Sequence, residues 1–261
     1  KPSQQQLTIL LDHYNNGRFG DAEKLAASIT KEFPKHEYAW KILGAVLGAS
    51  GRNSEAVDVK KIAVALSPQD AAAHSNLGNT LKELDRLDEA EACYKQAIAL
   101  KPDYAEAHSN LGNTFKELGR YDESEASLRQ AIALKTDYAE AHYNLGIMFE
   151  EQEKFDEAEA SYKQAIALKA DYAEAHNNLG GLLQELGRFD EAEASLRQAI
   201  ALKPDSANSH SNLGNTLKEL ARLDEAEASY KQAIVLKPDY AEAHSNMGIT
   251  LGKLGRFDEA E

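Results

Sequence analysis

Six asparagines stand 34 residues apart in this 261-residue chain: Asn76, Asn110, Asn144, Asn178, Asn212 and Asn246. A carboxamide both donates and accepts hydrogen bonds. A row of them can satisfy the N–H and C=O groups of an extended polypeptide without reading its side chains. On stacked helices such residues lie about 10 Å apart, and an extended chain rises about 3.3 Å per residue, so roughly every third ligand residue meets an amide. Asn79, Asn113 and Asn215 follow three residues later, close to the same helix face, and Ser75, Ser109 and Ser211 come one residue before. Two central units break the pattern, with Tyr143 and Ile147 in one and Asn177 and Gly181 in the next. Tyr143 and Ile147 are expected to anchor the ligand as an apolar hot spot, so that alanine at both weakens binding about tenfold or more. The competing reading is that the asparagines bond within the scaffold.

Other columns suggest chemistry and do not support it. His74, His108, His142, His176, His210 and His244 also recur at the 34-residue period. A shared metal needs ligand atoms about 2 Å from one ion, whereas these side chains start about 10 Å apart. An interhelical packing role is expected instead. Glu106, Glu140, Glu174 and Glu242 have the spacing of capping-box partners. Glu83, Glu117, Glu151, Glu185 and Glu219 recur beside Lys82, Lys116 and Lys218, which predicts a neutral to mildly acidic binding face. No phosphate-binding loop, nucleophile elbow or zinc-helix motif is present, so no catalytic residue, metal site or cofactor is assigned. Cys93 aligns with serines at 127, 161, 195 and 229 and reads as a small helix residue.

Composition bounds the partners. Lys and Arg total 29 against 43 Asp and Glu, a net charge of −14, which argues against nucleic acid because a phosphate backbone needs a surplus of cations. Hydrophobic residues make up 43%, enough to build a core. No run approaches the roughly 20 apolar residues of a membrane helix. A single cysteine excludes an internal disulfide and fits a reducing, cytoplasmic location. The chain starts at Lys1 and stops at Glu261 inside a recurring motif, and it reads as an excerpt of a longer protein.

The elements that position these columns follow from internal repetition. Residues 71–104 and 207–240 are identical at 29 of 34 positions. Units of the same length occupy 37–70, 105–138, 139–172 and 173–206, with a divergent one at 3–36 and a partial one at 241–261. The expectation is one array over 1–261. Each unit reads as two helices. Ala107, Leu111, Phe115 and Leu118 share one face of the first, and Leu128, Ala131, Ile132 and Leu134 one face of the second. Asp103, Asp137, Asp171 and Asp239 are expected to cap the first helix, and Asp88 or Asp190 the second. Gly119, Gly187 and Gly255 suit left-handed turns after the first. Lys followed by Pro ends the second helix at 101–102, 203–204 and 237–238, while Thr136 and Ala170 in place of that Pro predict softer turns. Small residues (Gly78, Gly112, Gly146, Gly180, Gly214, Gly248) mark close helix contacts. One such pair cannot bury its apolar side alone, so pairs stack; the fold class is all-α, an α-solenoid of stacked antiparallel helix pairs. The apolar side of the last helix, including Met247 and Leu251, is expected to lie partly uncovered, which raises end-to-end self-association as one reading.

Leu77, Gly78, Ala90, Tyr94, Ala97 and Pro102, and their counterparts in later units, resemble the signature of the tetratricopeptide repeat family. Its tryptophan is matched only by Trp40; elsewhere a His stands there. The resemblance implies a right-handed superhelix, a groove lined by the first helix of each pair, and a protein-protein interaction scaffold for a polypeptide segment. Within that family the asparagine column is most similar to the repeat arrays of O-linked N-acetylglucosamine transferases and their bacterial relatives, where an asparagine ladder holds extended peptide. Thr8 and Ile42 take that position in the first two units, which lack the ladder. This implies a second reading, the substrate-recruiting arm of a glycosyltransferase whose catalytic domain lies outside this chain. The ligand expected is an extended polypeptide, neutral or basic. Modules of this family that bind acidic tails carry Lys and Arg in their first helices, where Glu, Ser and Asn stand here.

Overall fold

The computed structural model of the protein describes residues 1–256 and Asp258, and every regular element among them is helical. The chain forms two compact units, Lys1–Thr136 and a second beginning at Asp137. The first contains α1 (Gln4–Asn15), α2 (Phe19–Glu32), α3 (Glu37–Ala49), α4 (Asn53–Leu66), α5 (Ala71–Glu83), α6 (Leu87–Leu100), α7 (Ala105–Glu117) and α8 (Tyr121–Leu134). The second contains α9 (Ala139–Glu151), α10 (Phe155–Leu168), α11 (Ala173–Glu185), α12 (Phe189–Leu202), α13 (Ala207–Glu219), α14 (Leu223–Leu236) and α15 (Ala241–Lys253). In each unit a helix packs on its successor, giving the stacked antiparallel pairs of an α-solenoid. First helices of neighbouring repeats also touch, α1 on α3 and α5 on α7 in one unit, α11 on α13 and α13 on α15 in the other. They form the inner face of each stack.

The close contact inside each pair comes from glycine opposite a large side chain. Gly78 faces the ring of Tyr94, Gly112 faces Leu128, Gly180 faces Leu196 and Gly214 faces Tyr230. A methyl group on Gly214 would sit 2.6 Å from the tyrosine ring, so only glycine admits it. Tyr94, Tyr162 and Tyr230 are fully buried, each burial contributing about 2 kcal/mol or more. Ala107, Leu111, Phe115, Leu128 and Ala131 are buried as their spacing predicts, whereas Leu134, in the last turn of α8, is 37% exposed. Leu251 is buried by its own unit, so it does not leave α15 uncovered as expected; Met247 is half-buried.

Helix starts differ from the expectation. Asp103, Asp137, Asp171 and Asp239 sit one residue too early, and the cap residue is Tyr104, Tyr138, Tyr172 or Tyr240, none of which caps through its side chain. The tyrosine ring lies instead under the preceding lysine, as Tyr104 does under Lys101 at 4.9 Å. Glu106 is consequently not a capping-box partner; it faces Lys135 at 3.7 Å, and Glu174 faces Lys203 at 3.1 Å. The second helices also begin earlier, after Arg86 or Arg188, with Asp88 and Asp190 inside the first turn. Side-chain capping does occur where that tyrosine is replaced: Asp70 accepts from the amides of Ala72 and Ala73, and Ser206 from that of Ser209. The turns at Thr136 and Ala170 close with the same 2.9 Å bond, from Lys135 to Ala131 and from Lys169 to Ala165, that Lys101 makes to Ala97 before a proline. The helix therefore ends there without help from the proline ring.

Candidate functional site

The asparagine column occupies one register on the inner helices: Asn76 in α5 and Asn110 in α7 of the first unit, then Asn144, Asn178, Asn212 and Asn246 in α9, α11, α13 and α15 of the second. Asn76 is exposed and the others are half-buried. The amides also bond to the scaffold. Asn110 donates through Nδ2 to Asn79 Oδ1 at 3.0 Å, and Asn246 to Asn215 Oδ1 at 3.0 Å. Asn212 donates to Asn177 Oδ1 at 3.3 Å, and Asn178 to the Tyr143 hydroxyl at 3.1 Å. An amide has two N–H donors and a carbonyl. Each of these bonds uses one N–H and holds the side chain in one orientation; at Asn178 the carbonyl is engaged as well, accepting from Asn177 Nδ2 at 3.3 Å.

Asn79 and Asn215 have an additional task. Each carbonyl also accepts the hydroxyl of a buried tyrosine at 2.7 Å, Tyr94 and Tyr230 respectively. The hydroxyl needs an acceptor because an unpaired buried O–H costs about 1–3 kcal/mol. Tyr162 meets Ile147 in place of that asparagine, and its hydroxyl donates instead to Glu150. Burial pushes the Glu150 carboxyl up from its ordinary range. Asn113, whose own pair carries Leu128 rather than a tyrosine, is half-buried on α7.

The two residues grouped as one hot spot line two different clefts of the second unit. Tyr143 borders a cleft of about 250 Å³ with Asn177, Asn178, Lys203, Ser206 and Ser209. Ile147 borders another with Glu150, Glu151, Phe155 and Glu185, and Asn178 lies at both. Tyr143 also packs on Tyr172, with ring centroids 4.9 Å apart.

A lysine absent from the sequence reasoning sits in the first unit. Lys60 takes the place filled by tyrosine or leucine at 94, 128, 162, 196 and 230, and that departure from the column was the available signal. Its ammonium donates to Thr80 Oγ1 at 2.5 Å and to the backbone carbonyl of Asn76 at 3.2 Å, on the wall of a cleft of about 420 Å³ that Asn76, Asn79, Lys41, Asp70 and Glu83 also line. Burial lowers its pKa. The charges around this cleft balance, two lysines against two carboxylates, while the Ile147 cleft is acidic.

Histidines at 74, 108, 176, 210 and 244 bond within the scaffold. His108 and His210 donate through Nε2 to the carbonyls of Pro102 and Pro204 at 3.0 Å, and His244 to that of Pro238 at 2.9 Å. Trp40 makes the same bond from its indole to Pro34 at 2.9 Å. Histidine thus replaces tryptophan by supplying the same donor. Burial raises the pKa of the half-buried Cys93 thiol, which keeps it protonated. No helix among the described residues is long and apolar enough to cross a membrane.

A family profile described as "Tetratricopeptide repeat" matches residues 103–171, 139–205 and 171–237, and others of that description match 7–71 and 229–261. A "TPR repeat" profile matches 78–119. A search of curated proteins by sequence gives no significant match. Among solved structures, the Cut9–Hcn1 hetero-tetramer of APC/C matches 93% of this chain with a TM-score of 0.76 at 18% identity. The chain spans about half, 48%, of that protein. A tetratricopeptide repeat protein from Parabacteroides merdae matches 95% of this chain and 98% of its own length, with a TM-score of 0.74 at 16% identity. YrrB, described as a TPR protein with an unusual peptide-binding site, matches 70% of this chain and 95% of its own, with a TM-score of 0.55 at 24% identity. With the repeat profile covering more than half its length and its helix pairs stacked as in these structures, the chain belongs to the tetratricopeptide repeat family.

Proposed function

We propose that the inner helix face of each unit binds extended polypeptide, chiefly through backbone hydrogen bonds from Asn110 in the first and from Asn144, Asn178, Asn212 and Asn246 in the second. Proteins of this family act as interaction scaffolds, and YrrB, by its description, has a peptide-binding site. The observation that carries the reading is the recurrence of one amide at one register, fixed in orientation by a neighbouring side chain at Asn110, Asn178, Asn212 and Asn246. A pre-oriented amide loses little freedom on binding, which favours affinity. The balanced charge around Lys60 and the acidic cleft at Glu150, Glu151 and Glu185 suit a neutral or basic segment.

Replacing Asn110, Asn144, Asn178 and Asn212 together with Ala is expected to reduce capture of an extended peptide by about a hundredfold or more, each lost bond contributing about 1 kcal/mol. Helicity by circular dichroism checks that the array stays folded, and fluorescence anisotropy reads the binding. Full-strength capture by the folded variant would refute the ladder.

A second reading, the substrate-recruiting arm of a glycosyltransferase, is favoured by the asparagine column alone and predicts sugar transfer to captured peptides by the parent protein. Self-association is a third, favoured by Val235 at 72% exposure and Ile249 at 50%. Concentration-dependent light scattering decides it, since a strict monomer counts against assembly.

A further inference from the structure

Among near-copies, departures from the repeat mark where one unit differs from its neighbours. Tyr143 stands where 75, 109 and 211 are Ser; Ser206 where 104, 138, 172 and 240 are Tyr; Asn208 where 106, 140, 174 and 242 are Glu; Ser209 where 107, 141, 175 and 243 are Ala. These residues come from two stretches of sequence, 143 and 206–209, yet all line one cleft of about 250 Å³ in the second unit. Serine at 206 keeps the bulk of a tyrosine ring out of it.

The hydrogen bonds along the cleft run in one direction. Asn212 Nδ2 donates to Asn177 Oδ1 at 3.3 Å, Asn177 Nδ2 to Asn178 Oδ1 at 3.3 Å, and Asn178 Nδ2 to the Tyr143 oxygen at 3.1 Å. Ser209 Oγ joins the same relay, donating to Asn177 Oδ1 at 3.0 Å. Bonds aligned head to tail polarise one another, which strengthens the last donor. That donor is the phenol of Tyr143. Its oxygen already accepts from Asn178, so its hydrogen is directed to whatever enters the cleft. Burial, then the nearby Glu174 carboxylate, raise its pKa, so it keeps that hydrogen at neutral pH. Glu174 lies on the rim as an acceptor, and Lys203 at 3.1 Å offsets its charge.

The complementary group accepts from Tyr143, donates to Glu174 or to the Asn208 carbonyl, and carries no net charge. A carboxamide meets all three conditions, with donor and acceptor on one planar group. A carboxylate would accept from Tyr143 but has no hydrogen to donate to Glu174 or Asn208, and Lys203 is already paired with Glu174. An ammonium accepts nothing, and an alkyl group leaves the phenol unpaired. We propose that this cleft selects an Asn or Gln side chain in the bound polypeptide, an inference that rests on the peptide-binding reading above.

The test is fluorescence anisotropy with a labelled Ser/Ala-rich peptide carrying one guest residue: Gln, Asn, Ala, Leu, Glu or Lys. Gln or Asn is expected to bind about tenfold tighter than Leu, Glu or Lys, as one or two satisfied hydrogen bonds imply. Tyr143→Phe, which removes the donor, and Ser206→Tyr, which restores the repeat residue and fills the cleft, should each compress that preference to less than about twofold. Circular dichroism establishes that both variants fold. Equal binding of all guests by the wild type overturns the carboxamide cleft and leaves the ladder standing. A preference unchanged in both variants overturns its assignment to Tyr143. Failure of every peptide to bind overturns the ladder reading together with the cleft.

Discussion

Glycine and tyrosine decide one another's identity here. Gly214 lets the ring of Tyr230 approach its backbone, and Tyr230 then needs Asn215 as an acceptor. Gly214→Ala should lower stability by about 1–3 kcal/mol, because the fully buried ring has no room to move. Gly181→Ala should instead raise it by up to about 1 kcal/mol, since nothing lies within 4 Å of the added methyl and alanine favours the helix. Urea unfolding of the two variants reads the contrast, and equal shifts would contradict it. The same coupling explains the Asn79 and Asn215 columns, which the sequence suggested as ligand contacts. Their carbonyls are engaged by tyrosine and by the next asparagine, so part of the amide pattern belongs to the scaffold.

The turn inside each helix pair is the clearest weak point among the elements. It requires a left-handed residue, supplied by Gly119 and Gly187 at φ 71° and by Gly255 at φ 75°. Asp85, Glu153 and Ala221 adopt the same conformation at φ 57–58°. For an L-residue this costs about 1–2 kcal/mol, and Asp tolerates it better than Ala. Ala221→Gly should therefore stabilise the second unit by up to about 1 kcal/mol after glycine's larger entropy loss, and Asp85→Gly should stabilise the first by less. A denaturant midpoint for Ala221→Gly at or below wild type would sink the argument. Periodicity located the helix pairs and these turns. It misplaced the helix starts, because an Asp one residue before a tyrosine has the look of a cap. Only packing shows the tyrosine occupying the cap position with its ring under a lysine.

Stability of the whole molecule sums over repeats and the interfaces between them. Glutamates bind those interfaces: Glu91 pairs with Arg120 at 2.7 Å, Glu159 with Arg188 at 2.7 Å and Glu193 with Arg222 at 2.6 Å, each arginine coming from the next repeat. Hydrogen bonds from Arg188 and Lys163 hold the Glu159 carboxyl below its ordinary range. Burial lowers the pKa of His142 and His176. A group with a depressed folded pKa contributes stability above its unfolded value and loses it as pH falls. The thermal midpoint should therefore fall in two stages on acidification. The first begins below about pH 6.5, where unfolded histidine takes up protons, and the second below about pH 4.5, where the paired glutamates do. Replacing His142 and His176 with Trp, the residue at position 40, should flatten the first stage and leave the second. An unchanged first stage would exclude the histidines as its source.

The 34-residue period with its helical apolar spacing was enough to determine an all-α stack of helix pairs, because one hydrophobic face per helix can be buried only against its neighbours. It was also enough to set the asparagine register, since equal spacing on equal helices places equal residues alike. Tertiary structure alone decided how each amide is used. Whether a carbonyl meets a tyrosine hydroxyl or another asparagine depends on side chains 15 to 31 residues away in sequence and a few ångströms away in space. It also brought Tyr143, Ser206 and Ser209 to one cleft. The linear pattern records each departure separately, and only packing makes them neighbours.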